Sequence, residues 1–106
     1  MELKRGYSMI DRNFRKSINE FVKFNEDDPI IFLENPSFDK SIVGITENNK
    51  LIYDYSSMIE EYMEDEKCSY EDAEEFIQYN TLRAVPYFPN PPVIMMLSKK
   101  EIKKLY

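Results

Sequence analysis

Carboxylates and tyrosines dominate the side chains of this sequence that could take part in chemistry or binding. Between residues 60 and 76 there are nine acidic residues against a single base, Lys67. The chain has no histidine, so a Ser-His or Cys-His pair cannot form, and the commonest general base and metal ligand is missing. The single cysteine, Cys68, is surrounded in sequence by carboxylates that disfavour a thiolate. We therefore expect an inert thiol and a protein that is not an enzyme.

The acidic run from residue 60 to residue 76 has three interpretations. It can be a solvated face, or its carboxylates can gather a divalent cation, although the spacing lacks the central glycine and alternating ligands of an EF-hand loop. A dense row of carboxylates can also imitate a nucleic-acid backbone and occupy a basic groove on a protein partner. We expect no metal and no cofactor, since neither Gly6 nor Gly44 belongs to a phosphate-binding loop. The residues assigned to a partner contact are Glu60, Glu61, Glu64, Glu71 and Glu75.

A second candidate site follows the acidic run, where helical spacing brings side chains of adjoining turns together. It consists of Tyr79, Asn80, Arg83 and Tyr87. Tyrosine and arginine dominate binding hot spots, so one interpretation is a patch that recognises a partner. In the structural alternative, which the sequence favours, Asn80 binds backbone groups of the loop after Pro86. Arg83 then pairs with a carboxylate such as Asp54, and Tyr87 packs over it.

A pair of helices must position these residues. Ser69 is a good N-cap for a helix over about 70–85, which Pro86 ends and in which Asn80 interrupts an apolar side. A shorter helix over about 57–66 is predicted to begin at Ser57, with Glu60 completing the cap. Before this pair, residues 41–55 predict a β-hairpin, because the consecutive asparagines at 48 and 49 tolerate the left-handed conformation of a tight turn.

The remaining segments are assigned from their apolar spacing. An amphipathic helix is predicted over about 8–25, with an apolar stripe that should dock on a sheet and consists of Ile10, Phe14, Ile18, Phe21 and Val22. The short apolar runs 30–33 and 93–97 predict strands. A basic tail over 98–106 should form a short helix capped by Ser98 and Glu101.

The whole chain of 106 residues fits a single domain. The predicted fold class is α+β. We expect a small, mainly antiparallel sheet of three to four strands, packed against the N-terminal amphipathic helix and the central helix pair.

Charge is distributed unevenly along the sequence, which has a formal net charge of −6. The middle is acidic and both ends are basic, so the main expectation is an unknown protein partner with a basic groove, and no membrane. The alternative is a nucleic-acid-binding protein that uses the tail lysines together with Arg12, Arg15, Lys16 and Lys23. One cysteine excludes an internal disulfide, and no apolar run near the N-terminus resembles a signal peptide. We expect a cytoplasmic protein.

The helix motif also resembles a known group of sequences. The run from Glu75 to Tyr87, preceded by Ile52-Tyr53-Asp54-Tyr55 and by the segment from Asp39 to Gly44, resembles a group of small uncharacterised proteins of low-GC bacteria and their phages. The resemblance covers about residues 35–97 and carries no activity, ligand or catalytic residue. It implies a phage or mobile-element accessory protein, and through that an inhibitor or adaptor that works by binding another protein.

Overall fold

The computed structural model describes residues 13–22 and 25–105 as an α+β fold with a three-stranded sheet. The strands are β1 (Ile42–Ile45), β2 (Leu51–Asp54) and β3 (Val93–Met95). The helices are α1 (13–21), α2 (Tyr55–Glu66), α3 (Tyr70–Phe76) and α4 (Lys99–Lys104). A π-helix, Ile77–Leu82, continues α3, and short 3-10 turns occupy Asp39–Ser41 and Val85–Tyr87. The predicted fold class is therefore confirmed.

The sheet has the order β1-β2-β3. β1 and β2 form the predicted antiparallel hairpin, with Ile45 opposite Leu51 and a left-handed residue, Asn49, at φ 64° in the turn. Asparagine tolerates this conformation because its short side chain bonds to nearby backbone. β3 lies parallel to β2, with Ile52 opposite Val93, so the sheet is mixed. Its parallel pair requires the long crossover through α2 and α3.

The prediction of a strand over residues 30–33 is wrong. This segment is extended but belongs to no sheet. The buried Leu33 donates its backbone N–H to the Tyr53 hydroxyl at 2.8 Å, so a side chain replaces the partner strand that a β-ladder would supply. Burial of the Tyr53 ring on β2 raises the pKa of its hydroxyl to about 12.

The first turn of α2 differs from the prediction. The helix begins at Tyr55 rather than Ser57, because Asp54 is the N-cap and its Oδ2 accepts hydrogen bonds from the backbone N–H and the hydroxyl of Ser57. The helix ends at Lys67, which adopts the left-handed conformation at φ 54° without being glycine. The last residue of β2 therefore also starts the helix, and no loop separates the two elements.

The second helix of the pair is longer than the predicted segment 70–85. Ser69 caps it as expected, with its hydroxyl accepting the Asp72 N–H at 3.1 Å. The chain stays helical through the π-helix and through Pro86, which lies inside the 3-10 turn Val85–Tyr87. Proline lacks an N–H but fits the start of a helical turn, so Pro86 tightens the helix instead of ending it.

The hydrophobic core lies between the sheet and the helix pair. The fully buried side chains include Leu51 and Tyr53 from β2, Met58 and Ile59 from α2, and Ile77 from the π-helix. Full burial of a large apolar side chain contributes about 1.5–3 kcal/mol. At the far end of the helix pair, the rings of Tyr62 and Phe76 stack with centroids 4.4 Å apart. These contacts make α2 and α3 one rigid unit.

Within the described residues, the apolar stripe of α1 is only partly buried. Ile18 enters the core, whereas Phe14 is 37% exposed and Phe21 is 78% exposed, so the predicted docking of the whole stripe is wrong. The parts of the prediction that fall on residues 8–12 and 23–24, including Ile10, lie outside the described residues. A polar contact also holds α1: Arg15 binds Asp39 at 2.6 Å and Glu34 at 2.8 Å.

A buried asparagine, Asn90, joins three loops. Its amide nitrogen donates to the carbonyls of Pro29, Asn48 and Asn49 at 3.0, 3.1 and 3.3 Å. Its amide oxygen accepts from the Lys50 ammonium at 2.8 Å. The proline-rich segment before β3 is thereby fixed against the hairpin turn and against the segment that follows α1.

Over residues 13–22 and 25–105, no helix is long and apolar enough to cross a membrane.

Candidate interaction surface

Four of the five predicted glutamates are exposed on the helix pair. Glu60 and Glu64 lie one turn apart on α2, and Glu71 and Glu75 lie one turn apart on α3. We call these four residues the acidic face. In the part of the chain that the structure describes, Arg15 forms ion pairs with Glu34 and Asp39, and no ion pair includes a carboxylate of the acidic face. All four carboxylates are exposed to solvent.

Glu61, the fifth predicted glutamate, points elsewhere. It is half-buried, and its Oε1 accepts the hydroxyl of the buried Ser41 at 2.9 Å. Desolvation raises the pKa of the Glu61 carboxyl, against the lowering effect of the Ser41 hydrogen bond. The structure therefore separates Glu61 from the acidic face and gives it a role in holding α2 against the turn before β1.

Along α3 and its π-helical extension, exposed side chains recur at every fourth residue. We call this set the outer row; it consists of Glu71, Glu75, Tyr79, Arg83 and Tyr87. An α-helix has 3.6 residues per turn, so residues four apart drift around its axis, and the wider turns of a π-helix reduce that drift. The first four members, from Glu71 to Arg83, line a common depression, whereas Tyr87 lies in the 3-10 turn that follows. Tyr79 is 58% exposed and Tyr87 is 88% exposed.

Arg83 forms its contact within the row. Its guanidinium lies 4.9 Å from the centroid of the Tyr79 ring, a cation–π contact between residues one turn apart. The predicted pairing of Arg83 with Asp54 is wrong, because Asp54 is the N-cap of α2. Tyr87 is exposed and does not pack over such a pair. The stacked Arg83 holds the Tyr79 ring in a fixed orientation at the surface.

Asn80 is exposed, which contradicts its predicted place in an apolar stripe and its predicted bonding to the loop after Pro86. Its amide nitrogen donates to the Phe76 carbonyl at 3.0 Å. In an α-helix that carbonyl would accept the backbone N–H of residue 80. The side-chain amide thus bonds to the carbonyl one turn earlier in its own helix, and its role is local.

A shallow depression lies beside the outer row. Glu71, Glu75 and Arg83 contribute to its rim, and the partly buried Leu82 and the Tyr79 ring line it with apolar surface. Four carboxylates, Gln78 and Arg83 line the depression together with Tyr79 and Leu82, so its lining is mostly polar with a smaller apolar part. These are the properties of an interface in which apolar contacts provide affinity and charges select the partner.

The basic residues of the nucleic-acid alternative are less available than predicted. Arg15 is occupied by Asp39 and Glu34, which raise the pKa of its guanidinium, and it also stacks over the Phe32 ring at 4.4 Å. Lys16 is exposed, while Arg12 and Lys23 lie outside the described residues. On α4, all four lysines are exposed. The exposed basic charge of the described residues is therefore concentrated at α4.

Neither a metal-binding group nor a similarity to known proteins assigns a function to this surface. No group of three or more His, Cys, Asp or Glu side chains in the described ranges is arranged to hold a metal ion. Asn90 was not among the predicted site residues, because its only local signal is a polar side chain among four prolines between residues 86 and 92. Comparisons with protein-family models, curated proteins and solved structures find no match to the chain. The candidate site therefore depends on its own geometry.

Proposed function

We propose that this protein is a non-enzymatic protein–protein interaction module that binds a partner with a basic groove through the acidic face. The observation that carries the proposal is the exposure of Glu60, Glu64, Glu71 and Glu75 on two adjoining helices, without a basic partner among the described residues. Like charges kept close together on a surface raise its negative potential and attract a complementary groove. Such a surface raises the association rate and rejects partners of the wrong charge.

The rigidity of the helix pair supports this role. α2 and α3 are fixed to each other by the Tyr62–Phe76 stack and by the hydrogen bond from Gln78 to the Tyr55 hydroxyl at 2.9 Å. A preformed backbone loses less conformational entropy on binding than a flexible one, so more of its contact energy appears as affinity. The Tyr79 ring and Arg83 supply the residue types that dominate binding hot spots.

For the biological setting we propose the one that the helix motif, from Glu75 to Tyr87, suggests by its resemblance to small proteins of low-GC bacteria and their phages. We place the protein among phage or mobile-element accessory factors, as an inhibitor or adaptor. The partly buried thiol of Cys68, which packs against the core, suits the reducing cytoplasm.

Affinity capture with charge-matched variants tests the proposal. In the test variant, Glu60, Glu64, Glu71 and Glu75 are replaced by glutamine. In the control variant the same number of exposed carboxylates is neutralised elsewhere, at Glu20, Glu26, Asp27 and Glu47. Both variants change the net charge equally, so a difference between them reports position and not total charge.

Nuclease-treated host lysate is passed over the three immobilised proteins at low and moderate salt. We expect a protein that the wild type and the control variant retain and that the test variant loses, with weaker retention at higher salt. Equal retention by all three proteins would contradict the proposal. Recovery of nuclease-sensitive material alone would instead favour the nucleic-acid alternative and direct attention to α4.

A further inference from the structure

A second surface, at the carboxyl end of β3 and along α4, exposes large apolar side chains. We call it the apolar edge; it consists of Met96, Leu97, Ile102 and Leu105, which are 46%, 51%, 44% and 66% exposed. Single exposed apolar side chains are common, but several grouped within ten residues form a patch of the kind that marks an interaction site. The proposed binding by the acidic face does not use these residues.

The apolar edge is held in a fixed position. α4 has a complete capping box, in which the Ser98 hydroxyl accepts the Glu101 N–H and the Glu101 carboxylate accepts the Ser98 N–H. The same carboxylate accepts a hydrogen bond from the hydroxyl of Ser56 in the first turn of α2. These hydrogen bonds from Ser56 and Ser98 lower the pKa of Glu101, so the carboxylate that anchors α4 is ionised at neutral pH.

The charges around the apolar edge match those of the outer row. Lys99 and Lys103 are exposed one turn apart on α4, beside Ile102. Glu71 and Glu75 are exposed with the same spacing on α3, beside the depression that Leu82 and Tyr79 line. Two helices packed side by side would set the two lysines against the two glutamates and bring the apolar side chains into the depression.

The two surfaces also lie near each other on the molecule. The Tyr55 hydroxyl contacts Gln78 beside the outer row, and the neighbouring Ser56 contacts Glu101 on α4. Both surfaces therefore flank the first turn of α2. A pairing in which the apolar edge of each copy meets the outer row of the other is self-complementary, as a closed two-fold dimer requires.

We propose that two copies of this chain form a two-fold dimer in which α4 of each copy docks on the outer row of the other. A second copy is the occupant because one chain carries both halves of the match, with lysines and exposed apolar side chains at α4 and carboxylates and tyrosines in the outer row. The inference rests on the proposed function, since it adds a partner for part of the acidic face. An external partner with a basic groove then competes with α4 for Glu71 and Glu75.

Sedimentation velocity of the full chain over a range of concentrations tests the dimer. The expected species has twice the monomer mass of 12.7 kDa, and it dissociates as salt is raised because its ion pairs are solvent-exposed. A monomer at every concentration and salt would overturn the inference. The substitution of Ile102 and Leu105 by serine should weaken the dimer by more than about tenfold without unfolding the chain, because both side chains are already exposed.

A charge exchange supplies the decisive control. One variant carries Glu71→Lys and Glu75→Lys, and the other carries Lys99→Glu and Lys103→Glu. In each homodimer both contacts join like charges, so each variant alone should be monomeric where wild type dimerises. In the mixed dimer both contacts join opposite charges again, so an equimolar mixture should recover the dimer. A mixture that stays monomeric, or variants that dimerise like wild type, would refute the proposed pairing.

Two further outcomes separate this inference from its alternatives. Flotation with vesicles of anionic lipid tests α4 as a membrane contact. Loss of vesicle binding in the Ile102 and Leu105 variant, with no dimer in wild type, would overturn the inference in favour of a lipid surface. Capture of a protein through the acidic face by a chain that is always monomeric would refute the dimer while leaving the proposed function intact. A dimer without any captured protein would do the opposite.

Discussion

Replacement of Asn90 by alanine should destabilise the fold more than any exposed substitution. Asn90 is 3% exposed and joins the segment after α1, the hairpin turn and the proline-rich segment before β3. Alanine removes the amide and leaves the carbonyls of Pro29 and Asn48 and the Lys50 ammonium without this partner. Because these groups come from two loops, the segment after α1 and the hairpin turn, no small movement of one loop can restore all of their contacts.

The magnitude follows from the bonds that are lost. The hydrogen bond from Lys50 at 2.8 Å involves a charge and contributes about 1.5–3 kcal/mol, and each amide hydrogen bond to a carbonyl contributes about 0.5–1.5 kcal/mol. Water that enters the vacated site recovers part of this sum. We expect a net loss of about 3 kcal/mol, a large fraction of the stability of a small domain.

Urea denaturation followed by far-UV circular dichroism measures this loss. Asn80→Ala is the matched control, because it is the same substitution at an exposed asparagine that makes one hydrogen bond, to Phe76. Alanine also favours a helix over asparagine by about 0.5 kcal/mol, so the control should stay within about 0.5 kcal/mol of wild type. Equal effects of the two substitutions, or a loss below about 1 kcal/mol for Asn90→Ala at unchanged m-value, would refute this role of Asn90.

Three other predictions concern the polar contacts of the fold. Arg15→Lys should lose the contact that the guanidinium makes with two carboxylates. The free energy of unfolding should fall by about 1 kcal/mol, and amide hydrogen exchange in residues 13–22 should become faster. Unchanged hydrogen exchange would contradict the anchoring of α1 by Arg15. Glu61→Gln should stabilise the fold at neutral pH, because the folded state raises the pKa of the Glu61 carboxyl. The gain should vanish in denaturation below pH 4.5, where the carboxyl is protonated in both states; a gain independent of pH would contradict the desolvation argument. The pKa of Tyr53 is about 12 in the fold and 10.0 unfolded, so the free energy of unfolding of wild type should fall by about 2–3 kcal/mol between pH 10 and pH 12. Tyr53→Phe should not show this fall. Parallel pH profiles of the two proteins would exclude a contribution of Tyr53.

Features set by neighbouring residues could be predicted from the sequence. The turn of the hairpin depends on the tolerance of Asn49 for the left-handed conformation, and the caps at Ser69 and Ser98 depend on residues three positions away. Alternation of buried and partly exposed residues in β2 likewise follows from the two faces of a strand. Each of these signals lies within one turn or one strand of the chain.

Features that depend on distant residues could not be predicted in this way. The extended segment 30–33 has the composition of a strand, but the Leu33 N–H finds the Tyr53 hydroxyl twenty residues later. Arg15 lies on the polar side of its helix, as the pattern indicates, yet Asp39 binds it across twenty-four residues. Asn90 and Lys50 are separated by forty residues. Periodicity identifies which side of an element is polar and cannot identify the long-range partner.

The candidate surface shows the same division. The charge pattern predicted the exposure of Glu60, Glu64, Glu71 and Glu75, because helical spacing alone places them opposite the apolar side chains. It could not separate Glu61, whose contact with Ser41 depends on how α2 packs against the turn before β1. The π-helix was also unforeseen, since the shift of one residue in hydrogen-bond register has no signature in side-chain spacing.

The most direct test of the acidic face is a titration of its captured, purified partner at two salt concentrations. Wild type and the variant with glutamine at Glu60, Glu64, Glu71 and Glu75 are compared with the variant neutralised at Glu20, Glu26, Asp27 and Glu47. We predict that the affinity of wild type, and of the variant neutralised outside the acidic face, falls steeply with salt. The variant with glutamine in the acidic face should bind more than about tenfold more weakly at low salt, with little salt dependence. Equal affinities and equal salt dependence for all three proteins would contradict the central claim that the acidic helices bind the partner.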